Sequence, residues 1–206
     1  MKVLLVNGSA RLKGCTYTAL CEVAKTLEEN GIETELFQLG AKPICGCIGC
    51  MSCRKTGECF MNDKVNEFAK MAKEADGFVF GSPVHYASAS GALTSFLDRV
   101  FFSAGANLSY KPGASITSAR RGGTTATFDQ LNKYFTINNM PVVSSQYWNM
   151  VHGNTPEETL QDLEGMQVMR ILGKNMAWLL KCIELGKQNG IGIPEREEKV
   201  ATNFIR

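Results

Sequence analysis

Five of the chain's eight cysteines lie between Cys45 and Cys59. Four of them, Cys47, Cys50, Cys53 and Cys59, make the spacing C-x2-C-x2-C-x5-C. Thiolates are soft ligands, and steps this short turn successive sulfurs inward around one iron-sulfur cubane. Gly46, Gly49 and Gly57 relieve the backbone between them. Structural zinc is the chief rival, although its all-cysteine sites are usually two C-x2-C pairs parted by a longer loop. Free or disulfide-forming thiols are the third reading. Cys45 is surplus to the spacing and leaves ligand exchange open. Cys15, Cys21 and Cys182 stand singly, and the last two read as small buried hydrophobes.

Three further segments have the chemistry of a binding site for a phosphorylated planar ring. The first, Asn7 to Thr18, comes after an apolar run and opens a helix, whose free N–H groups and positive potential suit an anion. Ser9, Thr16 and Thr18 bring hydroxyls there and Arg11 a charged fork. The segment lacks the endings of a Walker loop or a dinucleotide fingerprint, so a monophosphate fits it better, with an ordinary polar helix cap as the alternative. The second, Gly81 to Leu93, offers Pro83, Val84, His85, Tyr86 and Ala87 to the face and edge of an isoalloxazine. In the third, Ser118, Arg120, Arg121, Gly122 and Gly123 bring cations and N–H donors that would stabilise the negative charge of a reduced flavin. The alternative for either arginine is a solvated loop residue. No acid, base or covalent nucleophile is assigned.

These segments need a frame, and the chain alternates short β-branched runs with helical patterns as βαβ units do. Strands are expected at Lys2 to Val6, Glu33 to Gln38, Gly77 to Gly81, Ala114 to Thr117 and Val142 to Ser145. Helices are expected at Thr16 to Asn30, Asp63 to Ala75, Ser90 to Phe102, Thr124 to Phe135 and, as one long element, Pro156 to Leu185. The fold class is therefore α/β, a doubly wound five-stranded parallel sheet in a three-layer α/β/α sandwich, with its ligand site at the carboxyl ends of the strands. Residues 1–190 form one domain with a cysteine-rich insertion at 43–62, and 191–206 form a tail. The 206 residues suit a single core, and a charge of +2 without a polybasic run gives no support for nucleic-acid binding. No apolar run is long enough to cross a membrane, and a cytoplasmic protein is the expectation. The surplus apolar positions of the last helix, from Met166 to Ile183, point to a homodimer or homotetramer.

The strings GSARLKGCT, GSPVHYASASGALTSFLDR and SARRGG resemble the NADPH-dependent FMN reductase branch of the flavodoxin-like superfamily over residues 1–150. The resemblance implies FMN, with phosphate, ring and pyrimidine edge at the three segments in turn. Cys15 stands where that branch often has Asn, and His85 where another aromatic is common. With the cysteine motif added, the chain resembles the iron-sulfur flavoproteins of anaerobes, which pair FMN with a [4Fe-4S] cluster; by position, Cys47, Cys50, Cys53 and Cys59 would be its ligands. The implied activity is that of an FMN-dependent oxidoreductase passing electrons between a redox partner, FMN and the cluster. NAD(P)H, ferredoxin or a quinone would be the donor or acceptor. The alternatives are an NAD(P)H-dependent FMN or quinone reductase without iron, and a zinc-stabilised flavodoxin-like binding or electron-carrier module.

Overall fold

The structure, a computed structural model, describes residues 1–205. Its strands are β1 (Lys2–Asn7), β2 (Glu33–Gln38), β3 (Gly77–His85), β4 (Ser88–Ala89), β5 (Gly113–Ala119) and β6 (Met150–His152). The helices are α1 (Cys15–Glu29), α2 (Cys53–Thr56), α3 (Lys64–Glu74), α4 (Gly91–Ala104), α5 (Thr124–Ile137), α6 (Pro156–Gln161) and α7 (Leu163–Gln188). The parallel strands run in the order β2-β1-β3-β5-β6, and β4 folds back on β3 as a short antiparallel hairpin. This is the doubly wound order in which the chain leaves β1 to one side and returns to β3 on the other, opening a crevice at the carboxyl ends of the two.

Strands covered on both faces need apolar side chains pointing both ways. Leu4, Val6, Phe78 and Phe80 pack with Phe68 of α3, Phe96 of α4 and Phe135 of α5. Their neighbours Val3, Leu5, Val79 and Ile116 face the opposite layer of α1 and α7, meeting Leu20, Val23, Met169, Leu172 and Met176. Asp63 caps α3 through Val65 N (3.0 Å) and Thr155 caps α6 through Glu158 N (3.3 Å), as their positions before these helices suggest.

Three expectations need correction. Val142 to Ser145 is not the fifth strand: only a single bridge, Gly113 to Val142, forms there. Ser144 O and Ser145 Oγ are instead hydrogen-bonded to α7, at Asn175 Nδ2 (2.8 Å) and Val168 O (2.7 Å). The chain rejoins β5 at Met150–His152. Nor is Pro156 to Leu185 one helix. It breaks at Asp162, whose carboxylate accepts from His152 N (2.6 Å) and Gly165 N (2.9 Å), so that one side chain ties down β6 and caps α7. Cys182, expected inside, is exposed. No helix among the described residues is long and apolar enough to cross a membrane.

Candidate functional site

The segments after β1, β3 and β5 meet at one end of the sheet and are stitched together by their own polar groups. Buried Asn7 takes Ser9 N on Oδ1 (3.1 Å) and donates to Gln38 Oε1 (2.7 Å), which sets the start of the first segment. Gly8 N donates to Gly81 O (2.8 Å), and Ser90 Oγ donates to Gly8 O (2.7 Å) while capping α4. Thr16 Oγ1 and Ser118 Oγ share a hydrogen bond (2.7 Å) between α1 and β5. The tip of the β3–β4 hairpin, Tyr86 and Ala87, has φ values of 51° and 57°, a left-handed pair that non-glycine residues seldom adopt. That hairpin rests on α5, where Gln130 Oε1 accepts from Ser88 Oγ and Ala89 N (2.9 Å each). Gly123, at φ +95°, lies so close that a Cβ there would stand 2.9 Å from Ala87 Cα and from Val84 Cγ1.

Between these segments is a cleft of about 290 Å³. It is lined by Ser9, Arg11, Cys15, Thr16, Pro83, Val84, His85, Ser118 and Arg120, all expected from the sequence. The lining does not include Thr18, whose hydroxyl donates back to Gly14 O (3.2 Å), or Tyr86, Ala87, Arg121, Gly122 and Gly123. Gly153 and Asn154, which come after β6, close one side, and of these Asn154 was not foreseen from the sequence; Cys15 Sγ donates to Gly153 O (3.6 Å). Tyr147 and Trp148 lie apart from the cleft, half-exposed beside Met150, His152 and Asp162.

Helix capping sets two helix starts apart. Of the helices longer than a single turn, α3, α4, α6 and α7 carry side-chain caps from Asp63, Ser90, Thr155 and Asp162. α1 and α5 instead begin behind Gly14 and Gly123 with no side-chain cap, and at the start of α1 Gly14, Cys15 and Thr16 line the cleft. Their first-turn N–H groups are left to an outside acceptor, as a phosphate or a flavin carbonyl would be. The residues present therefore fit FMN.

The cysteine loop leaves the same end of the sheet after β2. Cys45, Cys47 and Cys50 are exposed, Cys53 and Cys59 are half-buried, and all are free. Of the three glycines expected to relieve the backbone, Gly49 and Gly57 take positive φ values, 66° and 76°, and Gly46 does not, while Met51 joins them at 58°. Cys47, Cys50, Cys53 and Cys59 line one small concavity together with Phe60, Arg99 and Phe102. Among the described residues no three His, Cys, Asp or Glu side chains converge as ligands of a single metal ion.

Cys59 is the fixed end of the loop. Its backbone is clamped by Asn66 of α3, which accepts from Cys59 N (3.0 Å) and donates to Cys59 O (2.7 Å). Its sulfur accepts from Nη2 (3.3 Å) and Nε (3.4 Å) of Arg99, a side chain 1% exposed. Burial opposes the guanidinium charge, but the hydrogen bonds to Asp63 and Cys59 outweigh it and hold the group above the ordinary arginine pKa. Arg99 was not singled out from the sequence, although it lies three residues beyond Phe96 on the buried stripe of α4, where a charge calls for a partner.

Comparison with known proteins agrees with this arrangement. The sequence profile of the NADPH-dependent FMN reductase family matches residues 1–155. An iron-sulfur flavoprotein of Methanocaldococcus jannaschii is 35% identical over 192 residues, 89% of this chain and 100% of that protein. Another from Archaeoglobus fulgidus is 29% identical over 193 residues, 87% of this chain and 97% of that one. Among solved structures, an archaeal flavodoxin superposes with a TM-score of 0.61 at 15% identity, over 88% of this chain and 99% of that one, which bears on the fold alone.

Proposed function

The chain belongs to the NADPH-dependent FMN reductase family, among its iron-sulfur flavoproteins, and is an FMN-dependent oxidoreductase; on that footing we propose which residues hold FMN and that Cys47, Cys50, Cys53 and Cys59 hold a [4Fe-4S] cluster. When bound, FMN accepts electrons in pairs and releases them singly, and the cluster exchanges one electron at a time. The phosphate is held at the uncapped start of α1, with Ser9 and Thr16 offering hydroxyls and Arg11 a charge. Pro83, Val84 and His85 present a stiff wall to the ring. Arg120 stands across the cleft on the segment after β5, where its charge opposes the build-up of negative charge at the pyrimidine edge. Cys15, bonded to Gly153 O, draws the segment after β6 over the phosphate end and limits water there.

The observation that carries the reading is the uncapped start of α1, where Gly14, Cys15 and Thr16 line the cleft. For the cluster it is the gathering of the four motif sulfurs on one concavity. Self-association through the outer face of α7, where Trp178 and Leu185 are exposed, belongs to the same reading, as does exchange with a separate redox partner. Anaerobic purification and then absorption spectroscopy, with assays of FMN, iron, sulfide and zinc, is the test. One FMN with about four irons and four sulfides per chain is the expected result. Zinc in place of iron would refute the cluster, and a colourless protein that takes up no added FMN would refute the cleft. The open cysteine loop favours one second reading, an FMN reductase without iron, which FMN bound in the absence of iron would support.

A further inference from the structure

We infer that Arg99 is a positioning residue for the cluster: it fixes the Cys59 sulfur as a thiolate ligand and raises the cluster's reduction potential. The inference rests on the cluster reading above. Every nitrogen of the guanidinium is engaged. Nη1 and Nη2 grip the Asp63 carboxylate (2.7 and 2.9 Å), Nη1 also donates to Cys45 O (3.3 Å), and Nη2 to Met61 O (3.2 Å). The remaining edge, Nε with Nη2, points at one atom, the Cys59 sulfur.

Packing alone does not explain that last pair. Asp63 already neutralises the buried charge and joins α4 to α3. A thiol is a weak acceptor, and two charged N–H groups aimed at it gain little. A metal-bound thiolate carries the negative charge that such a fork matches. Among the described residues, no side chain donates to Cys47, Cys50 or Cys53 in the same way, so the four ligands are not equivalent. Hydrogen bonds to cluster sulfurs are a determinant of potential: they favour the reduced, more negative state. The geometry also bears on how the sites are linked, because α4 carries Ser90 against the flavin segments at one end and Arg99 against the cysteines one residue beyond its second turn.

Redox titration of anaerobically purified protein, wild type beside Arg99→Met, Arg99→Lys and Asp63→Asn, tests this, with iron, sulfide and FMN counted in each. Arg99→Met should lower the equilibrium constant for cluster reduction at least about tenfold, which is about 59 mV for a one-electron couple. Arg99→Lys, which keeps the charge without the fork, should shift it less in the same direction. Asp63→Asn keeps an oxygen to cap α3 but removes the competing carboxylate, and should shift it the opposite way. The flavin potential should stay where it is. A purely structural role would lower the iron yield but leave the potential of the remaining clusters unmoved, and that outcome overturns the inference. If Arg99→Met does not fold, equal cluster potentials in wild type, Arg99→Lys and Asp63→Asn overturn it just as well. Wild-type protein without iron and sulfide would instead end the cluster reading itself, before any variant is compared.

Discussion

Around the cleft, the segments after β1, β3 and β5 are bonded to one another through Gly8, Thr16, Ser90 and Ser118, so this end of the cleft is held in shape by the protein's own hydrogen bonds. A few residues away, the chain from Cys45 to Cys50 has no helix or strand, and only Cys59 has backbone and sulfur both held by neighbouring elements. Both regions leave the same end of one sheet, yet one is cross-bonded and the other open. On the proposed function, the difference follows from what each ligand would supply. A flavin is bound by preorganised donors that would cost affinity if they had to be ordered first. A cluster supplies its own cross-links, each metal-sulfur bond fixing a stretch of loop as it forms, so metal binding and loop ordering become one event.

The sharpest way to break this contrast is to remove one sulfur. Cys50→Ser should take iron content from full to near zero while FMN stays bound with its affinity unchanged. Joint loss of both cofactors, measured on the same preparation, would show that the regions are not separate. Stripping iron anaerobically with a chelator should have a smaller effect that is local to the loop. Trypsin should then cut after Arg54 or Lys55 at least about tenfold faster, because local opening governs cleavage, with the rest of the chain and its flavin intact. Uniform digestion would contradict a rigid cleft.

Disturbing the cross-bonded side should be graded. Gly123→Val forces a β-branched residue into a left-handed conformation and against Ala87 and Val84. A cost of about 1–3 kcal/mol should weaken FMN binding roughly tenfold to a hundredfold. The iron count should hold. Flavin fluorescence titration of the apoprotein measures the first and a colorimetric assay the second. If Gly123→Val removes iron as readily as flavin, the two regions fold as one unit.

How much of this was legible beforehand differs between the two regions for the same physical reason. The cysteine spacing is local, so the sequence alone gathers the sulfurs; what it hides is Arg99, whose partners Asp63 and Cys59 are 36 and 40 residues away. At the cleft the strand ends brought together Ser9, Thr16, Pro83, His85, Ser118 and Arg120 as expected. The last strand was misplaced because Val142 and Val143 look like one, and the apolar pattern carries no sign that Asn175 and Val168 claim the residues after them. A clearer signal lay unused in the caps. Gly14 and Gly123 stand where other helices have Ser, Thr or Asp, and a helix start without a cap in a phosphate-like loop points to an outside acceptor.

The mildest test concerns α4, the element both regions share. Tyr134 of α5 donates to Asp98 of α4 at 2.5 Å, bracing that helix one residue before Arg99 and eight after Ser90. Burial first, and then the hydrogen bond to Asp98, raise the phenol's pKa well above its ordinary value of 10.0. The folded protein thus holds this proton more tightly than the unfolded chain does. The stabilisation is complete below about pH 10 and is lost as pH climbs from there toward the folded pKa, where the unfolded phenol has already ionised. Tyr134→Phe should cost about 1 kcal/mol at neutral pH, read from urea midpoints. The gap to wild type should narrow above pH 10, because the variant has no such proton to lose. Flavin affinity and iron content should both be unchanged. If either falls, α4 transmits small displacements to that region, and the independence of the cross-bonded cleft from the open loop would have to be given up at the helix they share.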